Sequence, residues 1–105
     1  MNEYEYKYIL EGKNPVKCSN LNKWAQYMQT ADRRVARTEE KDIVISTVFL
    51  GINMDMGSTN IPKLFETLIV GGEYDGDIYR CATWQEAENQ HEIACKKSGV
   101  SYARS

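Results

Sequence analysis

One histidine, His91, is all the imidazole this chain of 105 residues carries, so any histidine-dependent catalysis has to run through a single side chain. The three cysteines, Cys18, Cys81 and Cys95, are an odd number, lie far apart and form no Cys-x-x-Cys pair. That usage gives no disulfide framework and fits a reducing compartment. No apolar run approaches the roughly 20 residues that span a bilayer. The opening residues, Met1-Asn-Glu-Tyr-Glu-Tyr6, lack the basic and apolar regions of a secretory signal. These absences lead to the expectation of a cytoplasmic protein with no membrane partner. An excess of basic charge is missing too: the formal net charge is −2, which argues against nonspecific binding of nucleic acid through phosphate neutralisation. A local basic patch remains compatible with that balance.

What the chain does contain is an ordinary globular composition, 42% hydrophobic and 27% charged, long enough for one domain over 1–105 that buries roughly two-thirds of its unfolded surface. Tyr4, Tyr6, Tyr8 and Leu10 alternate with Glu3, Glu5, Lys7 and Ile9, the period of a half-buried strand. Gly12-Lys-Asn-Pro15 supplies a turn after which Val16–Cys18 runs back beside it. Ser19 or Asn20 can cap a helix whose face is Leu21, Trp24, Ala25 and Met28. The segment Arg33–Thr38 reads as a strand and Glu39-Glu-Lys-Asp42 as a turn. Ile43–Leu50 reads as a strand that is apolar on both faces and therefore central, with Leu64–Val70 as its antiparallel neighbour. Ile78-Tyr-Arg-Cys-Ala82 is taken as a passage into the last helix, which opens on the capping box Thr83-Trp-Gln-Glu86, carries the stripe Trp84, Ala87, His91 and Ala94 or Cys95, and ends at Gly99. The segment 99–105 is expected to form a loose tail. The fold class expected is α+β: an antiparallel sheet of about four or five strands in the order β(β)αβββα, with both helices packed through Trp24 and Trp84 on one sheet face.

Several short motifs in order, Leu21-x-x-Trp-Ala25, Ala31-Asp-Arg-Arg-Val-Ala36 with Thr38, Ser46-Thr-Val-Phe-Leu-Gly51, Leu64-Phe-Glu-Thr67, Gly71-Gly72 and Thr83-Trp-x-Glu-Ala87 with His91, resemble a family of small proteins encoded in bacteriophage and prophage genomes. The resemblance spans about Gly12 to Ala94. It brings no established biochemical activity with it. Where the family carries Asp-His and an aromatic after Phe-Leu-Gly, this chain has Asn53, Met54 and Met56, so any chemistry of that histidine is lost here. The resemblance implies a context in which small accessory proteins inhibit or redirect host systems, anti-CRISPR and other anti-defence proteins among them.

No residue pattern demands catalysis, and the chain is read as a non-enzyme that needs no cofactor. His91 sits on a helix stripe, where a satisfied structural histidine outweighs a base or ligand. A Cys3His zinc site from Cys18, Cys81, Cys95 and His91 lacks ligand-pair spacing and is not expected. Nor is a calcium loop at Glu73, Asp75 and Asp77, for want of the remaining ligands. Glu66 interrupts the apolar face of Leu64, Leu68 and Val70. It therefore calls for a partner among Arg33, Arg34 and Arg37, or for a polar recognition site shared with Ser46 or Thr47. Those arginines put three guanidinium groups within five residues, and on a strand Arg33 and Arg37 project to one side, where they could grip a phosphate or carboxylate. Solvated charge balanced by Glu39 and Glu40 is the plainer account. The loop Asn53–Asn60 carries Met54, Asp55 and Met56, adaptable apolar groups suited either to protein contacts or to packing back on the core.

The expected function is that of a phage- or prophage-encoded non-enzymatic binding protein that inhibits or sequesters a bacterial host component, with Met54, Asp55, Met56, Glu66, Arg33, Arg34 and Arg37 as the candidate contact residues. A bacterial host protein is the expected partner. A nucleotide signal held by the arginines and an aromatic ring is a variant of that expectation. The alternative is a homo-oligomeric structural or assembly accessory protein, with Tyr4–Leu10 or Val16–Cys18 pairing across a twofold axis as a dimer.

Overall fold

The computed structural model describes residues 6–53 and 61–102. Its elements run β1 (Tyr8–Glu11), β2 (Asn14–Lys17), α1 (Leu21–Thr30), β3 (Arg34–Glu40), β4 (Ile43–Phe49), β5 (Phe65–Val70), β6 (Ile78–Cys81) and α2 (Trp84–Ser98). The fold is α+β: β3, β4, β5 and β6 form one antiparallel sheet in that spatial order, and β1 and β2 form a hairpin of their own. Two differences from the expected order stand out. The passage at Ile78 is a paired strand, and the first hairpin does not join the main sheet. A four-residue strand beside an acidic loop carries too short a pattern to stand out in sequence, and pairing partners are chosen by packing rather than by local propensity.

The first strand begins at Tyr8, later than its tyrosine alternation suggests; Tyr4 lies outside the described residues. Tyr8 and Ile9 are both buried. Successive strand side chains point to opposite faces, so β1 is covered on both sides and a strict inside–outside alternation fails there. Tyr8 and Leu10 join the cluster of Phe49, Leu64, Phe65, Cys81 and Ala87, and α1 packs against β1 as well.

Helix α1 starts at Asn20, whose side chain accepts a hydrogen bond from the Lys23 backbone N–H at 3.0 Å. Leu21, expected on its buried face, is 44% exposed. The docking face is instead Trp24, Tyr27 and Met28: Trp24 Nε1 donates to the Gly51 carbonyl at 3.0 Å, and the Tyr27 ring meets Phe49 edge-on at 6.3 Å. Gly51 is required here, since its φ is +77° and a Cβ would come within 2.5 Å of Met28 Sδ.

Helix α2 lies across the face of the sheet that carries Ile45, Thr47, Phe49, Phe65, Thr67 and Ile69, all fully buried. Both halves of its capping box form, between Thr83 and Glu86. Ala87, His91, Ala94 and Cys95 are its buried stripe, and Trp84 packs edge-on against Phe65 at 6.1 Å. Gly99 ends the helix in the left-handed conformation, and the Val100 N–H returns to the Cys95 carbonyl at 2.8 Å. The chain after Gly99 is docked rather than loose as far as it is described. Val100 is buried with Ile45 and Ile69, the Ser101 N–H donates to Glu40, and the Tyr102 ring covers His91. Apolar area at Val100 and Tyr102 gives this segment a reason to fold back.

Candidate functional site

Directly opposed residues of an antiparallel sheet share a face, so the register of the sheet defines its second surface. With Ile45, Thr47 and Phe49 turned to α2, the side chains of Val44, Ser46 and Val48 point the other way. Opposite them stand Val70, Leu68 and Glu66 on β5, then Ile78 and Arg80 on β6, with Arg37 and Glu39 on β3. No element among the described residues packs on this outer face: α2 touches all four strands from the inner one. Val70 and Ile78 are 44% and 49% exposed. The surface is thus an apolar centre of Val44, Val48, Leu68, Val70 and Ile78 within a border of charges.

Four of those charges form two ion pairs. Glu66 Oε1 accepts from Arg80 Nε at 3.0 Å, and Glu39 Oε1 from Arg37 Nη1 at 3.1 Å. The Glu66 partner is therefore Arg80, directly across the β5–β6 ladder, and none of Arg33, Arg34 or Arg37. Leu64 does not share the face of Glu66; it precedes β5 and is buried in the core cluster. Ser46 remains on the outer face, while Thr47 belongs to the core. The four residues Ile78–Cys81 carry too short a pattern to mark a strand in sequence, and it is the pairing of β6 with β5 that sets Arg80 opposite Glu66.

The arginine cluster is divided by the backbone. A bulge between Arg34 and Ala36 inserts one residue into β3, so Arg34, opposite Val48, and Arg37, opposite Ser46, share the outer face. Arg33 precedes the strand and serves the fold: its Nη1 donates to the Phe49 carbonyl at 3.0 Å, and its own carbonyl accepts from the Phe49 N–H at 2.8 Å. The three guanidinium groups do not converge on one anion. Met54, Asp55 and Met56 lie outside the described residues. Asn53, the last described residue before them, accepts through its Oδ1 from the Lys63 N–H at 3.0 Å.

The histidine and the cysteines are inside. His91 has no exposed surface. Its Nε2 lies 2.8 Å from Thr38 Oγ1 and its Nδ1 2.8 Å from Thr47 Oγ1, which in turn lies 2.7 Å from Thr67 Oγ1. Burial pushes its pKa down to about 4, so the ring is neutral. Both nitrogens are engaged, and the imidazole as packed reaches no substrate. Cys81 and Cys95 are likewise buried, and desolvation raises both thiols, Cys81 to about 11. Among the described residues no three His, Cys, Asp or Glu side chains gather as a metal site. Of the acidic loop, Asp75 accepts from the Gly71 N–H at 2.7 Å. Asp77 pairs with Lys97 at 3.1 Å, and that bond and one from Tyr79 hold its carboxyl below the usual range.

No protein-family model, no curated protein and no solved structure matches this chain.

Proposed function

We propose that this is a phage- or prophage-encoded, non-enzymatic binding protein that inhibits or sequesters a bacterial host protein, a defence component in particular, through the outer face of its sheet. The observation that carries the reading is that face: five apolar side chains from β4, β5 and β6 with no described element packed on them. An apolar centre bordered by charges of both signs is the make-up of a protein-binding patch. Phosphate-rich partners suit it poorly, because two of its three outer-face arginines, Arg37 and Arg80, are each held against a carboxylate. The same ion pairs count against the nucleotide-signal variant, as does the commitment of Arg33 to the Phe49 carbonyl. The phage context comes from the sequence resemblance.

The test is co-expression with individual bacterial defence systems under phage challenge, using the parent and a Leu68→Asp, Ile78→Asp double variant. Both positions face outward, so the double variant should fold and lose protection of the phage together with retention of the defence protein on a column. Full protection by a folded double variant would remove this face from the reading, and no effect of the parent on any system would remove the defence target.

A further inference from the structure

The geometry points to β3 as a self-pairing edge: two copies of the chain join antiparallel along Arg34–Glu40 about a twofold axis at Thr38, making one eight-stranded sheet. β3 is hydrogen-bonded to β4 alone among the described strands, and at seven residues it is the longest edge among them. The other edges are blunted. β6 has four residues, and the side chain of Gln90 takes its Arg80 carbonyl. β2 contains Pro15, which has no N–H to offer, and β1 begins on a bond from the Tyr8 N–H to the Gly51 carbonyl.

The direction of the backbone groups on β3 follows from the ladder. The Phe49 N–H bonds Arg33 and the Leu50 N–H bonds Leu64, so odd residues of β4 address β3 and even ones address β5. Ile45 and Ile43 therefore use the backbone of their partners Thr38 and Glu40. Arg37 and Glu39 are left with N–H and C=O turned to the open edge. About a twofold axis at Thr38, Arg37 of one copy stands opposite Glu39 of the other, and the reverse. That register brings the four outward N–H groups and carbonyls together in reciprocal pairs and keeps inner and outer faces continuous across the junction. It also sets opposite charges across the seam twice. The Arg37 and Glu39 side chains are 42% and 55% exposed and already bond each other at 3.1 Å within one chain, so in the pair they become an alternating quartet. Charge usually guards an edge by repelling a second copy; here the pattern complements itself. This pairing is independent of what the outer face binds, and it would place two such faces side by side.

Analytical ultracentrifugation of the full chain over a rising concentration series tests it. The expected result is a reversible shift from 12.1 kDa to twice that mass. Arg37→Glu, which sets carboxylates against each other across the seam, should raise the dissociation constant by about tenfold or more. Exchanging both residues, Arg37→Glu with Glu39→Arg, should restore it. Glu39→Pro removes an outward N–H together with one carboxylate of the quartet, on an already extended strand, and should leave a folded monomer. A parent chain that stays monomeric at every concentration overturns the proposal. So does a dimer indifferent to Arg37→Glu, or one that survives Glu39→Pro and is abolished by Leu68→Asp on the sheet face.

Discussion

Thr47 is the hinge of the buried polar row, its hydroxyl 2.8 Å from His91 Nδ1 and 2.7 Å from Thr67 Oγ1. The relationship follows from register: Thr47 stands directly opposite Thr67, and Thr38 lies two residue pairs along the ladder, opposite Ile45 and on the same face, so one imidazole dropped from α2 reaches both β4 and β3. A buried polar group costs stability unless it is hydrogen-bonded, and here both ring nitrogens are.

Stability should consequently depend on pH through His91. Its pKa falls from the ordinary 6.5 to about 4 on folding, so between those values the unfolded chain binds a proton that the folded chain does not. The contribution is fully present above pH 6.5 and declines as pH falls towards about 4, by about 3 kcal/mol in all. Urea midpoints measured from pH 7 to pH 4 should show the decline, and His91→Gln should flatten it. A parent profile that stays level over that range would contradict the buried, neutral ring.

Arg80→Ala should cost only about 1 kcal/mol, because the pair with Glu66 is partly open to solvent. Glu66→Leu should be neutral or mildly stabilising, as it removes a charge from among Val48 and Leu68. Thermal melts of the two variants and of the double variant would give the coupling between them. Equal and large losses in both singles would mean a more buried pair than the structure shows.

Trp84→Ala should destabilise by about 2 kcal/mol, below the range for a fully buried tryptophan, because its ring is half-buried and held mainly against Phe65. Phe65→Ala, at a site with no exposure, should cost more. Chemical denaturation ranks the two, and the reverse order would move the centre of the core towards the helix end.

Two glycines separate strain from collision. Both have positive φ, but a Cβ at Gly71 would meet the Asp42 carbonyl at 2.1 Å, whereas at Gly51 it meets the flexible tip of Met28 at 2.5 Å. Gly71→Ala should therefore be the more damaging, with Gly51→Ala costing about 1–3 kcal/mol and partly relieved by Met28→Ala. Equal losses at the two sites would show that backbone conformation alone sets the cost.

Local signals carried a large part of this fold. The capping box at Thr83 and Glu86, the stripe Ala87, His91, Ala94 and Cys95, the stop at Gly99, and the adjacent apolar strands ending at Phe49 and Val70 are all short-range patterns, and each has the structure its spacing implies. Those elements form where periodicity and capping depend on residues a few positions apart. Tertiary structure decided the rest. The bulge in β3 parted Arg33 from Arg37, the pairing of β6 gave Glu66 to Arg80, and the crossing of α2 set His91 between Thr38 and Thr47. The bulge breaks the strand period that would keep Arg33 and Arg37 on one side, and the other two join residues whose separation along the chain carries no period, so their meeting is settled only when strands choose partners and register to bury the most apolar surface.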